Sequence, residues 1–148
     1  MPFPYSVLCY GHDPCLLTTR QQILERAGFA TEIVRSQQDF EQCLQEYSVD
    51  LVLLCHSLTT AECEYVKRAV HVQAEPTLLL LLSKGVNKCS LEGVDALFNS
   101  GEGPSALIRF ITTLLIERGR DCHVPRLKKP ITPSHHPWSQ SSNRALHV

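Results

Sequence analysis

Two short runs, Leu51-Val52-Leu53-Leu54 and Leu78 to Leu82, are apolar at every position. Successive side chains of a strand point to opposite faces, so a strand with one face in water alternates apolar and polar residues. A run without that alternation must be covered on both sides. That is the condition of a central strand in a parallel sheet between two helical layers. The stretch from Asp50 to Cys55 is the more informative of the two: a buried strand that ends in a thiol, followed by a loop opening with His56. The second run is ambiguous alone, because leucine is also a good helix former. Pro76 before it and Ser83-Lys84-Gly85 after it favour a strand.

The remainder of the chain alternates strand and helix signals, as a parallel α/β sheet requires. Ser6 to Tyr10 is a first apolar strand. Asp13-Pro14 supplies an N-cap and a proline at the first helical position, and the helix runs to about Ala27, with Leu17, Leu24 and Ala27 on one face and Leu16 and Ile23 alongside. Gly28 supplies the left-handed residue that stops it. Ala30 to Val34 is a second strand, and Ser36 with Asp39 opens a helix whose inward face is Phe40, Cys43, Leu44 and Tyr47. Val49 to Leu54 is the third strand, and Thr59 or Thr60 caps a helix carrying Cys63, Val66 and Val70. Thr77 to Leu82 and Val94 to Phe98 are the fourth and fifth strands. The last helix starts near Pro104, runs to about Arg118, and turns Leu107, Ile108, Ile111, Leu114 and Leu115 inward.

A chain of 148 residues with 43% hydrophobic and 20% charged residues fits one globular domain. Its net charge of −1 gives no global signal for nucleic acid or membrane, although residues 121–148 carry a net +3 against −4 for the body. No apolar run approaches the ~20 residues needed to cross a bilayer. Neither a basic leader nor a long apolar segment opens the chain, so no secretory signal is expected. Seven cysteines without a Cys-x-x-Cys pair suggest free, mostly buried thiols in a reducing cytoplasm. Residues 1–5 form a short lead. From residue 119 the apolar period dissolves into prolines and serines, and 119–148 is expected to be a disordered, mildly basic tail.

Five βα units of this size resemble the response-regulator receiver domain. The resemblance covers Ser6 to Arg118 and rests on Asp13-Pro14, Gly28, the strand Val49 to Leu54, Ser83, and Gly93-Val94-Asp95. It implies a doubly wound five-stranded parallel sheet of order 2-1-3-4-5 with its site at the switch point. It also implies a site in which two acidic residues and an acceptor aspartate hold Mg²⁺, and a Ser/Thr and a Lys read the phosphoryl group. The two acidic positions fall on Gly11 and His12, with Asp13 adjacent and better suited to capping the helix. The acceptor falls on Cys55, the Ser/Thr on Ser83, and the Lys on Ser100, or on Asn99 with a slip of one. Only Ser83 keeps the family's residue type; Lys84 lies close enough to stand in for the missing cation. The segment between Ser83 and Val94 is short for the family, so its fourth helix is expected to be short or missing.

The expectation is a cytoplasmic, non-enzymatic, degenerate receiver that acts by protein–protein interaction without aspartyl phosphorylation. Its partner would be a histidine kinase or an output protein, with no cofactor, metal or membrane and no nucleic-acid role. A second reading makes Cys55, with His12 and His56 nearby, a thiol redox or soft-metal sensor. Cys15 in the first turn of a helix has the dipole in its favour, while Cys9, Cys43 and Cys63 read as packing. In the tail, His135-His136 read as solvated. Arg126, Lys128, Lys129 and Trp138 read as a solubilising arm, with a docking peptide as the alternative. The chain has no P-loop, GxGxxG, GxSxG or HExxH motif.

Overall fold

The computed structural model describes residues 5–73, 75–84, 91–121 and 128–131. In chain order its elements are β1 (Ser6–Tyr10), α1 (Pro14–Arg26), β2 (Ala30–Val34), α2 (Gln37–Glu46), β3 (Tyr47–Ser48), β4 (Leu51–Leu54), α3 (Thr60–His71), β5 (Leu78–Ser83), β6 (Ala96–Asn99), α4 (Pro104–Asp121) and β7 (Lys129–Pro130). Five of the strands form one sheet in the order β2-β1-β4-β5-β6, and every pair in it is parallel. This is the doubly wound order expected from the sequence, with β4, β5 and β6 as the third, fourth and fifth strands of the main sheet.

Register explains why the apolar runs need no polar face. Val7, Cys9, Leu51, Leu53, Leu80, Leu82 and Phe98 face one side and pack against Leu17 and Leu24 of α1 and Leu107, Ile111 and Leu115 of α4. Leu8, Tyr10, Val52, Leu54, Leu79 and Leu81 face the other side and pack against Phe40 and Leu44 of α2 and Val66 and Val70 of α3. All four residues of β4 are fully buried. At roughly 1.5–3 kcal/mol for each large apolar side chain buried, that strand anchors both layers.

Local signals fix the helix ends. Asp13 accepts hydrogen bonds from the N–H groups of Cys15 and Leu16, and Ser36 accepts from Asp39. Thr59 rather than Thr60 caps α3, in a capping box with Glu62. Gly28 sits at φ +101°, which a side chain would strain. Gln21 of α1 is among the polar side chains that escaped the sequence reading: it is buried, and its amide donates to the Thr31 carbonyl at 3.1 Å. Ala27, expected to face inward, is exposed because α1 has ended by then.

At the amino edge of the sheet, Asp50 ties three elements together. It is buried, its Oδ2 accepts from the Ser6 N–H at 2.8 Å, and Arg118 of α4 donates to its carbonyl at 2.8 Å.

Two expectations change. Helix α4 continues to Asp121, and residues 128–131, expected to lie in a disordered tail, return to the body. There β7 pairs in parallel with β3, and the Ser48 hydroxyl donates to the Lys128 carbonyl at 3.1 Å. The Lys128 ammonium donates to the Leu44 carbonyl at 2.7 Å and to Gln73. Ile131 is buried in the α2/α3 layer. The sequence offers a single apolar residue here, too little for a period, and the contact is made by backbone pairing instead. The rest of the tail, with Trp138 and His135-His136, lies outside the described residues, as do residues 85–90, where the family's fourth helix would fall. Among the described residues between β5 and β6 there is no helix.

Ile131→Ala is expected to cost about 2 kcal/mol, the lower end for emptying a buried Ile site. Lys129→Ala, at an exposed position of the same strand, should stay within about 0.5 kcal/mol. Urea midpoints of the two variants check this.

Candidate functional site

A parallel sheet brings the carboxyl ends of its strands to one edge, where open α/β folds bind their ligands. At that edge Gly11 follows β1 and Cys55 follows β4. The Cys55 N–H donates to the Tyr10 carbonyl at 3.0 Å, and the Gly11 N–H donates to the Val34 carbonyl at 3.3 Å. The two residues are pressed together. A Cβ on Gly11 would lie 2.8 Å from Cys55 Cβ and 3.0 Å from its Sγ. Both backbones are set by the sheet ladder, so neither can withdraw without breaking strand pairing. Position 11 therefore has no room for an acidic side chain while Cys55 stands opposite.

The Cys55 thiol is 3% exposed. Arg20 of α1 reaches it, and its Nη1 donates to Sγ at 3.0 Å. Burial raises the thiol pKa, and the Arg20 charge and hydrogen bond only partly offset it, so the pKa stays above the ordinary thiol value. Cys9, behind it in β1, is pushed well up by complete burial, and Cys43 of α2 is pushed up to about 12 by burial. These three are neutral packing thiols at ordinary pH, and Cys15 is the exposed one. Cys63 differs from the sequence reading: it is buried in α3 and disulfide-bonded. That bond removes part of the basis for expecting every thiol free in a reducing compartment.

His12 turns away from this pair. Its backbone N–H donates to Ser57 Oγ at 3.0 Å, and its ring Nε2 lies 2.7 Å from Glu62 Oε1. Glu62 also accepts from the Thr59 N–H at 2.9 Å and from the Tyr10 hydroxyl at 3.2 Å. Partial burial works to raise the Glu62 pKa. Hydrogen bonds from the Thr59 N–H, from His12 and from the Thr59 side chain outweigh it and hold the carboxyl below its ordinary 4.5. Burial of its ring, and after it the same carboxylate, raise the Tyr10 pKa. Asp13 stays with the cap of α1.

Ser83 and Ser100 come together, the Ser100 hydroxyl donating to the Ser83 carbonyl at 3.0 Å. Asn99 Oδ1 accepts from the Gly101 N–H at 2.9 Å. A crevice of about 320 Å³ opens beside them, walled by Arg20, His56, Lys84, Asn99, Ser100 and Gly101. The six sequence-predicted positions thus divide into a Gly11–Cys55 pair, a Ser83–Ser100 pair, and His12 and Asp13 committed elsewhere. They do not fit Mg²⁺, which prefers several hard oxygen ligands. A glycine, an imidazole held by Glu62 and a buried thiol stand where the carboxylates would be. Among the described residues no group of three or more His, Cys, Asp or Glu is placed to hold a metal ion.

Sequence reasoning missed Arg20 and Glu62. The first had a signal: Arg20 falls three residues after Leu17 and four before Leu24, on the stripe that α1 buries. The second was half visible as the third residue after Thr59, but its reach across to β1 depends on the sheet order.

Gly11→Ala is expected to destabilise the fold by about 1–3 kcal/mol, the usual cost of overpacking, in urea unfolding. Glu62 supplies a pH test. Its lowered pKa contributes stability that is present above the unfolded value and lost as pH falls through the folded one. Urea midpoints of Glu62→Gln should fall less steeply than wild type as pH drops below about 4.5.

No family model matches the sequence, and no curated protein sequence matches it. Solved structures do match its fold. A CheY-like response regulator receiver domain from Methanospirillum hungatei JF-1 superposes with a TM-score of 0.69 at 20% identity, over 80% of this chain and 99% of that one. A response regulator from Thermotoga maritima gives 0.66 at 13% identity, over 76% and 98%. A signal receiver domain of a two-component signal transduction histidine kinase from Clostridium thermocellum gives 0.60 at 14%, over 75% and 97%. The chain has the fold of response-regulator receiver domains.

Proposed function

We propose that this chain is a pseudo-receiver: a non-catalytic signalling module that binds a protein partner and does not accept a phosphoryl group. The observation that carries the reading is the contact between Gly11 and Cys55. Phosphoryl transfer to a receiver needs a carboxylate nucleophile and a metal to neutralise the developing charge. Here the acceptor position holds a buried thiol, and position 11 holds a glycine whose Cβ, were it present, would lie 2.8 Å from Cys55 Cβ. The cation position holds Ser100, which is bonded to the Ser83 carbonyl. The framework around them is intact, which supports retention of the fold for its surfaces. A histidine kinase or an output protein is the partner class that suits a receiver fold. We place the protein in the cytoplasm with such partners, on the strength of its free buried thiols and against the one disulfide at Cys63. No helix among the described residues is long and apolar enough to cross a membrane.

The thiol-sensor reading has less behind it. Reactive cysteines are exposed and have lowered pKa values, whereas Cys55 is buried with its pKa raised.

With acetyl phosphate and Mg²⁺, the intact mass should show no phosphoryl adduct; a stoichiometric adduct would overturn the proposal. Under mild peroxide, Cys15 should be oxidised well before Cys55, as peptide mapping can follow. Oxidation of Cys55 first would revive the sensor.

A further inference from the structure

The crevice at the carboxyl edge carries cations without counter-charges. Arg20 and Lys84 both line it, and no Asp or Glu does. Among the described residues neither cation has a carboxylate partner; the ion pairs are His12–Glu62, Lys67–Glu64 and Arg118–Asp50. Arg20 spends one donor on the sulfur of Cys55. A guanidinium has five N–H donors, so most of its fork remains for something in the crevice. Asn99 points the same way. Its carbonyl oxygen is taken by the Gly101 N–H, which leaves the amide NH₂ as the group it can offer. Two carboxylates close to the lining in sequence are otherwise placed: Asp13 caps α1, and Glu102 lies exposed beyond Gly101. The lining thus combines two positive charges with donor groups, and Leu16 provides an apolar wall.

We propose that this crevice is a binding site for a small phosphate-bearing anion, held between Arg20 and Lys84. Two cations match a dianion better than a carboxylate's single charge, and Arg20 is held in place by its bond to Cys55. The guanidinium fork fits two phosphate oxygens at once, while the ammonium acts as a point charge on a third. At about 320 Å³ the crevice is at the small end of ligand sites, with ample room for phosphate or a compact phosphate monoester. The site is non-covalent, needs no metal, and draws its charge from Arg20 and Lys84, neither of which falls on one of the family's phosphorylation positions, although Asn99 and Ser100 of its lining border them. It goes beyond the partner-binding reading and does not depend on it: phosphate can be titrated with neither a kinase nor Mg²⁺ present.

The full chain should be titrated calorimetrically with inorganic phosphate and with methyl phosphate, at low and constant ionic strength, with chloride as the balancing ion. Saturable one-site binding is expected. Lys84→Gln should weaken it by about tenfold or more, the loss typical of a charge-assisted contact, and Arg20→Gln by as much. Lys67→Gln, lining a separate crevice, should leave it unchanged. Tighter binding of methyl phosphate identifies an ester as the ligand; equal binding identifies phosphate itself. Absence of saturable binding, equal competition by chloride, or a Lys84→Gln variant that binds as wild type would overturn the proposal. Arg20 touches Cys55, so its variant can fail through misfolding; Lys84 is exposed, and its variant carries the test alone in that event.

Discussion

Covering β4 on both faces is the constraint from which the rest follows. A strand apolar at all four positions cannot lie at a water-facing sheet, so helices must occupy both sides. Parallel neighbours joined through helices place every strand's carboxyl end at one edge. The crevice, the Gly11–Cys55 contact and the Ser83–Ser100 bond are together because of that rule. The opposite edge carries the structural polar contacts instead, with Asp50 joining β1, β4 and α4. One sheet thus separates a tied edge from an open one.

The open edge has a one-sided electrostatic balance. Arg20 and Lys84 line its crevice, and no Asp or Glu among the described residues does. Its acidic group of consequence, Glu62, has been drawn onto the far side of β1 by His12, Tyr10 and the cap of α3. What remains is a neutral thiol under a guanidinium, with an ammonium nearby. The charge left at that edge is positive, set by Arg20 and Lys84.

The sequence was most legible where one physical rule acts alone. Uninterrupted apolar runs meant central strands, Asp13 and Ser36 meant helix starts, and Gly28 meant a stop. Each depends on a few neighbouring residues. Legibility failed where partners are far apart in the chain. Arg20 meets Cys55 across 35 positions, and His12 meets Glu62 across 50. The returning strand at 128–131 was lost for another reason. It is held by main-chain pairing to β3 and by one buried isoleucine, and backbone hydrogen bonds leave little mark on composition. The disulfide at Cys63 was hidden too, since an odd count of cysteines without a motif favours none of them.

The contact between Gly11 and Cys55 has a meaning for the sequences this fold can reach. The two positions behave as a single unit: what one may be depends on the other. Any side chain at 11 puts its Cβ 2.8 Å from Cys55 Cβ and 3.0 Å from the sulfur. Filling position 11 therefore overpacks the contact, at a cost of about 1–3 kcal/mol. Set against the 5–15 kcal/mol that holds a typical domain folded, that is a considerable barrier. Packing alone thus disfavours a side chain at position 11 for as long as position 55 carries a Cβ.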